Sequence, residues 1–184
     1  MKNQDFIRNI LEEHNKAIAI IKLNFSALNY QQLNYKVSGN SWSIGECITH
    51  LLVTNNEYIG YFENALKNKS DLSDKNFKHS FIGKLIIKTV NPSTKIKTKT
   101  PQKFNPQSSN IELKIIEKYL DQHKKIHHLM ETSLNLDLKK FKIISPFNKM
   151  VKYNLGDSFA IISYHDQRHA MQALRVFNSP DFPR

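Results

Sequence analysis

Apolar side chains recur at three- and four-residue steps in four stretches of this 184-residue chain, the spacing of helices that bury one face. The first stretch predicts a helix over about residues 4–28, where Ile7, Ile10, Leu11, Ala17, Ile18, Ile21, Phe25 and Leu28 form the stripe and His14 falls within it. A second helix begins at a capping box. The Ser43 side chain takes an orphan backbone N–H and Glu46 reaches back, with Trp42 and Cys47 at hydrophobic-staple positions. Its stripe is Ile44, Ile48, Leu51, Leu52, Tyr58, Ile59, Phe62 and Leu66. Ser109 and Glu112 predict the start of a third helix, with Ile115, Ile116, Tyr119, Leu120, His123, His127, Met130 and Leu134 facing inward. The fourth follows Pro146. Asn154 caps it with Asp157 as the third-position carboxylate, and it runs to about Phe177 before Pro180 and Pro183.

Residues 67–109 lack sustained periodicity, apart from a short apolar run from Phe81 to Val90 that suits a helix or two. A connection of this length is too long for an idle loop. It can span a bundle, leave the helices it joins parallel, and cover one end. No strand pattern elsewhere is long enough to compete. The expectation is an all-α chain, a four-helix bundle with a long crossover between its second and third helices, occupying residues 1–184 as one domain.

Composition narrows the chemistry. One cysteine, Cys47, excludes an intramolecular disulfide and a thiolate-built zinc site, and suits a reducing cytoplasm. No apolar run approaches the ~18–20 residues of a membrane span, and the start of the chain has no signal-peptide core, so no membrane partner is expected. The net charge of +11 suggests nucleic acid at first sight, but its distribution argues otherwise. Residues 67–103 carry ten Lys and two Asp, and the whole chain has only four Arg, the residue that does most bidentate base and phosphate recognition. No specific nucleic-acid partner is expected.

Candidate chemistry lies in the histidines. His165 and His169 stand four residues apart on the fourth helix, separated by roughly 40° on the helical wheel and close to the centre of the apolar stripe. Two inward imidazoles need partners, and a metal ion satisfies both. Residue 166 is Asp, so this is not the H-E-x-x-H protease pattern, and a third ligand must come from elsewhere. His123 and His127 form a second pair at the same spacing, and spacing alone does not rank the two. His50 lies on the flank of the second helix, roughly 120° from the stripe centre, where a histidine ordinarily faces solvent.

Three stretches together resemble the DinB/YfiT family of metal-binding four-helix bundles. Trp42-Ser43-Ile44-Gly45-Glu46-Cys47-Ile48-Thr49-His50-Leu51 is similar to the family's Trp-to-His segment opening the second helix. Thr100 to Pro106 is similar to its Pro-Phe-Pro element, and Asn154 to Val176 carries its H-x-x-x-H pair followed by Gln172. The resemblance implies one metal ligand on the second helix and two on the fourth: His50, His165 and His169. It thereby favours the fourth-helix pair over His123 and His127.

Three neutral imidazoles suit a divalent metal, zinc or nickel, and leave a position open for water or a thiolate. The resemblance accordingly implies a metal-dependent hydrolase or a thiol-dependent S-transferase acting on a small-molecule substrate, with a low-molecular-weight thiol as a co-substrate in the second case. The alternative is a non-catalytic metal- or small-molecule-binding module linked to stress. A homodimer is left open. Asp166 faces inward and is a candidate base or a partner orienting an imidazole, with a salt bridge to another helix as the plainer reading. Gln172 is placed on the metal side as a donor to a ligand or substrate. His14 is read as a core histidine satisfied by a neighbour, and His14, His123 and His127 are either cavity-lining or part of a buried polar network.

Overall fold

The structure, a computed structural model, describes residues 1–67, 76–96, 99–106 and 108–184; the parts of the crossover at 68–75, 97–98 and 107 lie outside the described residues. Four long helices build the bundle: α1 (Asn3–Phe25), α3 (Ile44–Lys67), α5 (Ile115–Glu131) and α6 (Leu155–Phe177). Each packs on two of the others in the cyclic order α1, α6, α3, α5. The pairing residues give the directions. Gln167 bonds to Glu13 and Phe177 meets Phe25, so α6 runs parallel to α1. Phe62 meets Phe159 while His50 meets His165, so α3 and α6 are antiparallel. Gln122 reaches Leu52 and Asn56, and Lys125 reaches Glu63, so α5 runs parallel to α3, the arrangement the long crossover permits.

The caps explain where these helices start. Ser43 and Glu46 form the expected reciprocal box at α3, with Ser43 N–H on Glu46 Oε2 at 2.8 Å and Glu46 N–H on Ser43 Oγ at 3.1 Å. Asn154 and Asp157 do the same for α6. The third box does not form. Ser109 Oγ instead accepts from Lys36 Nζ at 3.0 Å and donates to Glu46 Oε1 at 3.0 Å, and the N-cap of α5 is Lys114, five residues later than the sequence suggested. A charged donor, Lys36, takes the hydroxyl oxygen that the local cap would need.

Two further departures matter. A short helix, α2 (Tyr30–Asn34), carries its own box from Asn29 and Gln32. Between α5 and α6 stands an antiparallel hairpin, β1 (Lys142–Ser145) and β2 (Asn148–Asn154), where no strand was expected. Tyr153 of β2 ties it to α3 through an O–O contact of 2.7 Å with Tyr58. Ile143 and Tyr153 are buried, so the hairpin is held by tertiary packing, which a two-stranded ribbon needs. The fold remains mostly helical and all-α.

Within the crossover, Phe81–Val90 forms α4, capped by Ser80 and packed on α6 and β2. Asp157, the capping residue of α6, also accepts from Ser80 Oγ at 2.6 Å and from the His79 ring at 2.8 Å. One buried carboxylate therefore fixes the N-termini of α4 and α6 together. Arg168 donates to the carbonyls of Thr89 at 3.1 Å and Ile96 at 2.5 Å, and Lys103 pairs with Glu57 of α3 at 2.8 Å. The described part of the crossover is thus strapped over α3 and α6. Among the described residues, no helix is long and apolar enough to cross a membrane.

The core is split. One apolar cluster gathers Phe6, Ile10, Phe62, Leu129 and Phe159, the other Ile21, Phe25, Leu51, Tyr119 and Val176. A buried polar layer separates them, with His14 from α1, Asn55 from α3, Gln122 and His123 from α5, and Asp166 and Gln167 from α6. The candidate site lies beside that layer.

Candidate metal centre

His50, His165 and His169 come together from α3 and α6, each offering a ring nitrogen, with all three atoms within 4.8 Å of one another. The Nε2 atoms of His50 and His165 are 3.2 Å apart. Imidazoles bound at ~2.0–2.1 Å around a tetrahedral ion stand ~3.3 Å apart along each edge, so the observed separation fits such a ligand set.

Two of the three rings are oriented from behind. The Nδ1–H of His50 donates to the Phe104 carbonyl at 2.7 Å, which leaves Nε2 as the lone-pair nitrogen facing the other rings. Phe104 is buried in a 3₁₀ turn, Gln102–Phe104, between Pro101 and Pro106. The Pro-Phe-Pro element therefore delivers a backbone acceptor to the site. Likewise the Nδ1–H of His169 donates to Gln172 Oε1 at 3.0 Å. Gln172 acts as an acceptor for the histidine, the reverse of the donor role expected of it. His165 has no such bond: its Nδ1 lies 4.0 Å from Asp166 Oδ1, beyond hydrogen-bond range.

Burial keeps the three rings neutral, the form that ligates metals. It lowers the pKa of His50, against the opposing pull of the Phe104 carbonyl. It also sends His165 well below the ordinary value, with His169 and His50 adding to the effect. His169 falls to about 3 through burial and then the His50 charge, with Gln172 opposing.

The flank position of His50 does not put it in solvent. Only 2 % of the residue is exposed, because the seam with α6 and the Phe104 turn close over that side of α3. Trp42, read as one half of a hydrophobic staple, lies over the site with its ring centroid 5.0 Å from that of His50 and 5.8 Å from that of His169. Phe147, at the turn of the hairpin, sits 6.3 Å from His165 and 4.5 Å from Phe104. Neither Phe104 nor Phe147 was singled out by itself in the sequence. The spacing of Pro101, Phe104 and Pro106 was the available signal for the first, and nothing marked the second.

Asp166 lies behind His165 and is fully buried. Its Oδ2 accepts from Asn55 Nδ2 at 3.0 Å and from the Tyr119 hydroxyl at 2.9 Å, in place of the salt bridge to a basic residue of another helix. Oδ1 has no hydrogen-bond partner. Burial pushes the carboxyl up to about 7, against the stabilising Asn55 and Tyr119 bonds. His123 and His127 face α1, away from this centre. His14 and His123 stack with centroids 3.9 Å apart and planes within 3°, and the His123 Nε2–H donates to the His14 carbonyl at 3.1 Å. The buried-network reading of these residues is the observed one, but the His14 ring is not satisfied: neither nitrogen has a partner.

The triad opens onto a cavity of about 1370 Å³, and none of His14, His123, His127 or Asp166 lines it. His165 is 12 % exposed on that side. The fold is a helical bundle, and its histidine cluster, open to a groove, is a donor set that could hold a metal ion. The chain belongs to the DinB superfamily, a metal-binding family whose model matches residues 20–173. No curated protein and no solved structure matches the chain.

Proposed function

We propose that this chain is a metal-dependent enzyme acting on a small molecule, with His50, His165 and His169 holding one divalent ion, zinc or nickel. The observation that carries the reading is the combination of two oriented Nε2 lone pairs and a third neutral ring at the wall of a large open groove. Structural zinc sites are closed by four protein ligands, whereas three histidines beside a cavity leave a position for an exogenous group. An ion bound there supplies Lewis acidity and acidifies a coordinated water or thiol. The chain's own residues orient two of the ligands: Phe104 orients His50 through its carbonyl, and Gln172 orients His169 through its side-chain oxygen. Neither Asp166 nor Cys47 lines the groove, so the reading assigns the nucleophile to solvent or a co-substrate at the open metal position. That requirement supports hydrolysis, or S-transfer from a low-molecular-weight thiol.

The test is metal analysis followed by turnover. The purified protein binds about one divalent ion per chain, and the His165→Ala, His169→Ala double variant loses it while keeping its helical content. The loaded protein, but not the stripped one, hydrolyses esters or amides or conjugates thiols to electrophiles. A stoichiometric ion in the double variant overturns the ligand assignment. A bound ion with no turnover in either screen selects the non-catalytic binding module.

A further inference from the structure

The groove is polarised along α6. Its floor runs from Ile161 to Arg175, about 21 Å at ~1.5 Å per residue, with His165 and His169 in the middle. On the N-terminal side of the histidines the walls are mainly apolar, with Ile161 and Ile162 of α6, Val151 of β2, and Ile82, Leu85 and Ile86 of α4; the Tyr58 and Tyr153 hydroxyls there bond to each other. On the C-terminal side they are mainly polar, with Gln172 and Arg175 of α6, Asn40 and Ser41 before α3, and Asn178 and Ser179 beyond α6, beside Val37 and Val176.

Charge is one-sided as well. The described lining contains Lys99, Arg168 and Arg175 and no Asp or Glu. Arg168 is committed to the Thr89 and Ile96 carbonyls. Arg175 is exposed and, among the described residues, makes no hydrogen bond or ion pair, so its guanidinium is available to a ligand. Among the described residues, nothing of the chain fills the apolar end: Leu85 is 58 % and Ile82 40 % exposed although they form its wall. Exposed apolar side chains that line a concave site beside the candidate chemistry are the mark of a ligand limb.

We propose that the groove takes an amphipathic anion: a small molecule with a carboxylate or phosphate at the Arg175 end, an apolar limb between α4 and β2, and its reacting group at the histidines. The placement of the reacting group rests on the metal-centre reading above; the two ends of the groove do not. An aliphatic or aryl limb buries against Ile86, Val151 and Ile161, and Arg175 selects the anion by a charge-assisted bond at the far end.

Trp42, the only tryptophan of the chain, lies over His50 and His169 and reports occupancy by its fluorescence. The full chain is titrated below micellar concentrations with hexanoate, octanoate and decanoate, with decyl phosphate, and with decyltrimethylammonium. Each titration is run on metal-loaded and chelator-stripped protein, because a carboxylate also ligates a metal. In the stripped protein the affinity rises about fourfold per added methylene. The cationic amphiphile binds at least tenfold more weakly than decanoate, and whichever of decanoate and decyl phosphate binds more tightly names the head group. Arg175→Glu, at an exposed position that leaves the fold intact, removes the preference for the anion, and Leu85→Glu flattens the dependence on chain length.

Equal binding of anion and cation, affinity independent of chain length, or an Arg175→Glu protein that still prefers the anion overturns the proposal. Failure of the metal reading has a different signature: no stoichiometric ion, with amphiphile discrimination in the stripped protein unchanged.

Discussion

Gln172 Oε1 accepts the Nδ1–H of His169 at 3.0 Å from one turn further along α6. The bond fixes which nitrogen of His169 faces His50 and His165, and it belongs to a pattern in which the Phe104 carbonyl does the same for His50. A backbone carbonyl cannot be removed by substitution, so Gln172 is the orienting group that mutation can reach.

Gln172→Leu leaves the ring without its acceptor and lowers metal affinity by about 10–100-fold, while Gln172→Glu keeps an acceptor oxygen and retains it. Competition against a chromophoric chelator measures both. Equal affinities for the Leu variant and the parent protein would show that the bond does not prepare the ligand.

The stacked pair of His14 and His123 predicts a gain in stability on losing a polar group. His14 is fully buried with neither ring nitrogen bonded, a cost on the order of 1–3 kcal/mol. His14→Leu therefore leaves the protein as stable or more stable in urea denaturation. His123→Leu gains less, because it strips the His14 carbonyl of its donor. A clear loss of stability in His14→Leu contradicts this account.

Acid sensitivity follows from the buried rings. His14, His50, His123, His165 and His169 are all held below their ordinary pKa chiefly by burial, His123 at about 4 and His169 at about 3. A depressed folded-state value means that the unfolded chain binds the extra proton. The stability these groups contribute is present above the unfolded value near 6.5 and is lost as pH falls toward the folded values. Asp166 works in the opposite sense: raised to about 7, it contributes stability below its unfolded value near 3.8 that is lost as pH rises through 7. Five rings outweigh one carboxyl, so the urea midpoint of the stripped protein falls between about pH 6.5 and about pH 5. Asp166→Asn steepens the fall. A midpoint that is flat or rising on acidification would sink the prediction.

Two glycines make a matched test of packing. A Cβ at Gly83 would stand 2.2 Å from the Asp157 carboxyl carbon, the group that holds the starts of α4 and α6 together. Gly83→Ala is destabilising by about 1–3 kcal/mol. Gly60, on the exposed side of α3, has nothing within 4 Å, and Gly60→Ala stabilises the helix by about 0.5–1 kcal/mol. Thermal melts of the two variants move in opposite directions, or the close approach at Gly83 is not structural.

Cys47 is fully buried, and burial followed by the Glu46 charge pushes its thiol up to about 12. A disulfide reagent at neutral pH leaves it unmodified in the folded protein and labels one thiol per chain after denaturation. Rapid labelling of the folded chain would reopen Cys47 as a nucleophile.

The sequence by itself determined the features that are local. Helical periodicity and the reciprocal boxes at Ser43/Glu46 and Asn154/Asp157 mark α3 and α6, because a cap is satisfied by residues three positions away. The four-residue spacing puts His165 and His169 on one face for the same reason. The family motifs, read in order, pointed to His50, although its wheel angle alone pointed to solvent.

Only the tertiary structure decided the rest. His50 is buried because α6 and the Phe104 turn cover the flank of α3, and a helical wheel carries no information about what packs beside it. The Ser109 box was lost to Lys36 and Glu46, an ion pair 73 and 63 positions earlier in the chain. The hairpin over 142–154 exists because Tyr153 finds Tyr58 and Ile143 finds the core, contacts that no short window contains. Asp166, a candidate base or imidazole partner by its spacing, is instead bonded by Asn55 and Tyr119, which reach it from two other helices. Local spacing sets which side chains share a face; long-range packing sets what that face meets, and with it the ring nitrogens, the burial and the charge on which the chemistry depends.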